Sequence, residues 1–144
     1  MSPFAPLFVP DELRDAVSGR AWLAAMLEAE QALAQAGAAA GVIPAQAAAA
    51  ITAACSVEGY DWDDLLREAR RVGNPAEPLV RCLVAQVGEE TERWVHLGAT
   101  SQDVIDTAAM LVARRALDLI LADLVRVADA CASLARSHLS LIHI

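Results

Sequence analysis

The residues best suited to chemistry lie close together, in the run His96-Leu97-Gly98-Ala99-Thr100-Ser101-Gln102-Asp103. Thr100 stands where a helix begins, and Asp103 three residues later completes a variant of the capping box. The N–H groups of a first helical turn have no partner inside the helix, and the helix dipole favours negative charge beside them. The hydroxyls of Thr100 and Ser101 and the amide of Gln102 add side-chain donors. His96 lies just upstream, and the small residues Gly98 and Ala99 let a ligand approach the backbone. Together these groups make a cradle for a carboxylate. The same residues also suit a plain helix cap, and a lone histidine is more often structural than functional.

Other candidates weigh less. Arg81 and Arg93 could bring positive charge to such a cradle, although isolated arginines are usually solvated or paired. Trp22, Trp62 and Trp94 read as packing residues. No histidine or cysteine cluster has metal-ligand spacing, and no glycine-rich phosphate loop is present. Cys55, Cys82 and Cys131 are odd in number and widely spaced, which suits free thiols in a reducing cytosol.

The net charge of −8 removes some partners from consideration. Nucleic acid requires a basic face, and an anionic membrane surface would repel this chain. The segment Met1 to Pro10 lacks the basic and apolar regions of a signal peptide. No uncharged apolar run of about 20 residues is long enough to span a bilayer. A cytoplasmic protein is expected, and any anionic ligand must meet a locally positive site.

The cradle needs elements to hold it. Hydrophobic residues make up 56% of the 144, enough for a sizeable core in about one domain. Much of that share is alanine, a strong helix former. Aromatics are only 4%, whereas strands favour aromatic and β-branched residues. The chain therefore reads as all-α. Met1 to Pro10 is proline-rich and reads as extended, and Asp11 to Val17 as a short helix. Ser18 caps a longer helix ending near Gly41, with Trp22, Leu23, Met26, Leu27, Glu30, Leu33, Ala34 and Gly37 at steps of three and four. Pro44 opens an alanine-rich helix to about Cys55. After a turn at Ser56 to Tyr60, Asp61 caps a helix to about Val72. Gly73-Asn74-Pro75 breaks the pattern before a helix from about Glu77 or Pro78 to near Gly88. Glu89 to Thr91 is polar, and Arg93 to Leu97 reads as short and extended.

Thr100 then opens the longest helix, to about Arg136. Leu117, Leu121, Leu124, Ala128, Cys131 and Ala135 form a bundle seam along it. Ile105, Val112, Leu119, Val127 and Leu134 form a second stripe. A helix of about 35 residues is roughly 50 Å long. With two apolar faces it needs several partners, from further sequence, other subunits or both.

His-x-Gly-x-Thr-Ser-x-Asp followed by Asp106-Thr107 resembles the first signature region of the fumarase/aspartase superfamily. Gly73-Asn74-Pro75-Ala76-Glu77-Pro78-Leu79-Val80 is similar to the Gly-Asn-Pro loop of its carboxymuconate cycloisomerase branch. Met26-Leu27-Glu28-Ala29-Glu30, with Ala32-Leu33-Ala34 and Gly41-Val42-Ile43-Pro44, also looks like that branch. The resemblance covers about residues 10 to 137. It implies an N-terminal helical domain over 1–100 and, over 101–138, the start of a central long-helix bundle assembled as a homotetramer. It implies no metal or organic cofactor and a small polycarboxylate substrate. The reaction implied is intramolecular addition of a carboxylate oxygen across a double bond, closing a lactone. Carried onto this sequence, Thr100 and Ser101 bind a substrate carboxylate, Gln102 and His96 assist, and Asn74 is a secondary candidate on the facing loop. Asp103 supports the helix start.

The superfamily's general base is a serine on a downstream Gly-Ser-Ser loop, which these 144 residues do not contain, so the chain by itself is expected to be inactive. Residues 139–144 depart from the family pattern and read as a divergent tail. Adenylosuccinate lyase, the neighbouring branch, uses a histidine upstream of this region, and no histidine precedes His96. The bundle seam also admits a reading of another class, a non-catalytic helical oligomerisation module.

Overall fold

The computed structural model describes residues 5–138. The tail 139–144, with His143, lies outside the described residues, as does the start of the segment 1–10. The elements in chain order are α1 (Ala5–Phe8), α2 (Asp11–Ala16), α3 (Gly19–Ala39), α4 (Ala45–Ala54), a 3-10 turn (Val57–Gly59), α5 (Trp62–Val72), α6 (Ala76–Val87), α7 (Glu89–Glu92) and α8 (Ser101–Ser137). The fold is all-α, with no strand among the described residues.

The caps fall where residue types place them. The Ser18 hydroxyl accepts from the Ala21 N–H at 3.2 Å. The Asp61 carboxylate accepts from the N–H groups of Asp63 and Asp64. Gly73 ends α5 in the left-handed region, at φ 87°, where a side chain would be strained. Two expectations fail. Residues 5–8 are helical rather than extended, because Pro6 lies in the first turn, where a missing N–H costs nothing. Residues 93–97 are a series of turns rather than a strand. The acidic residues Glu89, Glu90 and Glu92 favour the start of α7. The chain then continues through tight bonds, Trp94 N–H to Thr91 C=O and Val95 N–H to Glu92 C=O.

Helix α3 runs through both parts of the core. Its Leu23, Ala25, Met26 and Leu27 pack with Leu65 of α5, Ala76 and Leu79 of α6, and Val104, Ala108 and Val112 of α8. Further along, Ala34 joins Ile43, the α4 residues Ala47, Ala48 and Ile51, Leu83 of α6, and Val95. Gly37 lets Ile43 close onto the helix, since a Cβ there would lie 2.6 Å from the Ile43 Cδ1 atom. Trp22 and Trp62 pack against the first cluster and Trp94 against the second. Arg115 of α8 also pairs with Glu28 of α3.

Helix α8 divides in two. Val104, Ala108 and Val112 are buried, whereas residues 121–138 are exposed throughout. The seam residues Leu117, Leu121 and Leu124 thus face outward, each more than half exposed. Val127 and Leu134 of the second stripe do the same.

Near the middle of α3, Cys55 and Tyr60 are half-buried. The Tyr60 hydroxyl donates to the Ala54 carbonyl at 3.0 Å. Burial, with the Glu30 charge adding, pushes the Cys55 thiol up to about 12. Burial is also the main cause raising the Tyr60 hydroxyl.

Two outcomes follow for this chain. Leu79→Ala removes a side chain with no exposure and lowers unfolding free energy by about 2–5 kcal/mol. Leu124→Ala, on the exposed half of α8, changes it by less than about 0.5 kcal/mol. Urea titration of both variants checks the contrast. The second outcome concerns alkali. The folded state keeps protons on Cys55 and Tyr60 at pH values where the unfolded chain has lost them. Stability is therefore intact below the ordinary thiol value of 9.0 and falls as pH rises from there through about 12. Urea midpoints measured at about pH 8 and about pH 10.5 should fall, and Cys55→Ala should reduce the fall.

Candidate functional site

The start of α8 forms as a complete capping box. The Thr100 hydroxyl accepts from the Asp103 N–H at 3.4 Å. The Asp103 carboxylate accepts in return from the Thr100 N–H at 2.8 Å and from its hydroxyl at 3.0 Å. These bonds hold the Asp103 carboxyl below its ordinary value. Thr100 is thus occupied in fixing the helix end. Ser101 is half-buried, and its hydroxyl has no hydrogen-bond partner among the described residues. The Gln102 amide donates to the Asp106 carboxylate at 2.6 Å, one turn on. Of the two hydroxyls in the motif, Ser101 offers the free one.

His96 occupies the turn before this helix. Its φ of 57° lies in the left-handed region, unusual for a residue with a Cβ. The ring Nδ1 lies 2.6 Å from Oε1 of Glu30, in the middle of α3. Glu30 is 1% exposed, and its other oxygen, Oε2, is buried without a hydrogen-bond partner among the described residues. Burial raises the Glu30 carboxyl, and the adjacent His96 partly offsets that. The His96 ring also lies close enough to Asp103 for its charge to favour that carboxylate. The histidine and the start of α8 are therefore electrostatic neighbours.

Glu30 lies outside the motif and is not among the candidates that the sequence suggests. The signal in the sequence is a carboxylate within the apolar stripe Leu23, Met26, Leu27 and Ala34. Such a position requires a partner from another element, and His96 supplies it.

The remaining candidates go elsewhere. Asn74 caps α6, its side-chain oxygen accepting from the Glu77 N–H at 3.0 Å. It lines a shallow groove of about 540 Å³ with Trp22, Trp62, Leu66 and Arg70, which contains neither Thr100 nor His96. Arg81 pairs with Glu68 and Glu77. Arg93 lies 4.6 Å from the centre of the Trp94 ring, a cation–π contact. Among the described residues, no group of three or more His, Cys, Asp or Glu could hold a metal ion. Nor is any helix long and apolar enough to cross a membrane.

The chain is similar to several known proteins. A 3-carboxy-cis,cis-muconate cycloisomerase of Bradyrhizobium diazoefficiens is 48% identical over 142 residues, covering 96% of this chain and 32% of its own length. A nitrosuccinate lyase of Streptomyces davaonensis is 47% identical, covering 93% of this chain and 29% of its own. The crystal structure of 3-carboxy-cis,cis-muconate lactonizing enzyme from Pseudomonas putida superposes with a TM-score of 0.92 at 45% identity, over 96% of this chain and 32% of that one. The chain thus spans about a third of the length of the relatives it matches. A family model described as Lyase matches residues 9–144. The chain belongs to that lyase family.

Proposed function

We propose that the protein carrying this chain is a 3-carboxy-cis,cis-muconate cycloisomerase. The observation that carries the proposal is the 48% identity to the Bradyrhizobium cycloisomerase across 96% of the chain, a span that includes His96 to Asp103. In the reaction, a substrate carboxylate oxygen adds across a conjugated double bond and closes a lactone. Electron density moves onto a second carboxylate, giving an enolate-like species that needs preorganised donors. The Ser101 hydroxyl and the first N–H groups of α8 bind that carboxylate. Thr100 fixes the helix end that presents them, and His96 lines the site. Gln102 and Asn74 have secondary parts. The proton transfer belongs to a group outside these residues.

The exposed apolar face of α8 supports assembly through this helix, as the opening helix of a bundle domain beginning at about residue 101, in the homotetramer that the family resemblance implies. The free thiols of Cys55, Cys82 and Cys131 suit a reducing cytoplasm. A second reading, a lyase acting on nitrosuccinate, is favoured by the 47% identity to the Streptomyces enzyme.

The full-length protein should consume 3-carboxy-cis,cis-muconate, followed by loss of diene absorbance. Turnover of nitrosuccinate in its place would move the assignment to the second reading. Ser101→Ala should lower kcat/KM about 100-fold or more with assembly unchanged by sedimentation. Thr100→Ala should in addition cost about 1 kcal/mol of stability through the lost cap. Full activity in Ser101→Ala would remove Ser101 from the site.

A further inference from the structure

The Glu30–His96 pair goes beyond what a structural contact requires. A carboxylate 1% exposed with one oxygen unpartnered is a costly group to bury. The histidine that meets it holds a left-handed backbone conformation. Such strain persists where the surrounding structure imposes it. The pair joins the middle of α3 to the turn that leads into the carboxylate-binding end of α8. Of the two ring nitrogens, only Nδ1 has a partner among the described residues.

We propose that Glu30 is a positioning residue for His96, accepting its Nδ1–H and so leaving Nε2 as the nitrogen that meets a bound carboxyl group. Where Glu30 is ionised, above the range to which burial raises its carboxyl, it can only accept, and so it selects the tautomer with the proton on Nδ1. Nε2 then carries the lone pair. Taking up one proton there turns the ring into a donor toward an incoming carboxylate, and the Glu30 charge balances the ring cation. Charged and titratable groups from several elements surround the pair. Cys55 and Tyr60 feel the Glu30 charge, and Asp103 of α8 feels His96. Cys55 and Tyr60 keep their protons well above neutral pH. Glu30 and Asp103 are then the carboxylates that act on the ring. The role of this tautomer in binding rests on the cycloisomerase reading, whereas the tautomer itself does not.

The test uses this chain with nitrogen-15-labelled histidine. Its histidines are His96, His138 and His143, so three imidazoles are followed, and His96→Gln assigns the signal of interest. In its neutral form His96 should be held as the Nδ1–H tautomer, the reverse of the preference of a free imidazole. Glu30→Gln keeps the shape but offers both a donor and an acceptor, so the ratio of tautomers should move by about tenfold toward Nε2–H. Glu30→Ala should restore the ordinary Nε2–H form. Circular dichroism establishes that each variant remains helical, and Glu30→Gln answers the question if Glu30→Ala does not fold. An Nε2–H tautomer in the unaltered chain would overturn the proposal, as would an unchanged ratio in Glu30→Gln. Neither result depends on turnover, so failure here is distinct from failure of the cycloisomerase reading, which muconate consumption decides.

Discussion

Helix α3 is the surface on which the other elements settle. Its buried face touches α2, α4, α5 and α8, and both halves of the core contain its side chains. That face has to remain apolar along most of its length. Glu30 is the exception, and the constraint makes the exception informative. A carboxylate on that face has no access to water, so another element must come to it. The turn carrying His96 does so, and the pair ties the middle of α3 to the turn before α8.

The geometry at the start of α8 separates roles that the motif presents together. Thr100 and Asp103 satisfy each other, so their contribution is the position and rigidity of the helix end. Ser101 and the first N–H groups remain for a ligand. The local charge is mixed, because Asp103 already sits at the positive end of the helix dipole. In the proposed function, a bound carboxylate would depend on oriented donors and on His96 rather than on a pool of cations. Arg81 and Arg93 are engaged with Glu68, Glu77 and Trp94.

Helix α8 has one end in the core and the other exposed. Its first three turns share the core with α3 and α6. Its second half presents leucines and valines to solvent along a seam of threes and fours. Such a helix is stable as part of a larger bundle, where its apolar faces find partners. The helix that opens with the capping box at Thr100 thus also carries exposed apolar surface along its second half.

Local chemistry made much of this legible in the sequence. Ser18, Asp61 and Thr100 are caps because a short polar side chain can reach the free N–H groups of the turn that follows. Gly73 ends a helix because it can enter the left-handed region. The periodic leucines of α8 announce its faces. At residues 93–97 a short apolar run does not distinguish a strand from a chain of turns, and the acidic start of α7 decides between them. The Asn74 oxygen also serves as a cap, which the Gly73-Asn74-Pro75 sequence does not announce. The meeting of Glu30 with His96 could not be read from the chain, since 66 residues separate them and no periodicity links them. The sequence by itself determined the helices, their caps and the motif at Thr100-Ser101. Only the tertiary structure decided which donors stay free and which nitrogen of His96 is engaged, because both depend on contacts between elements distant in the chain.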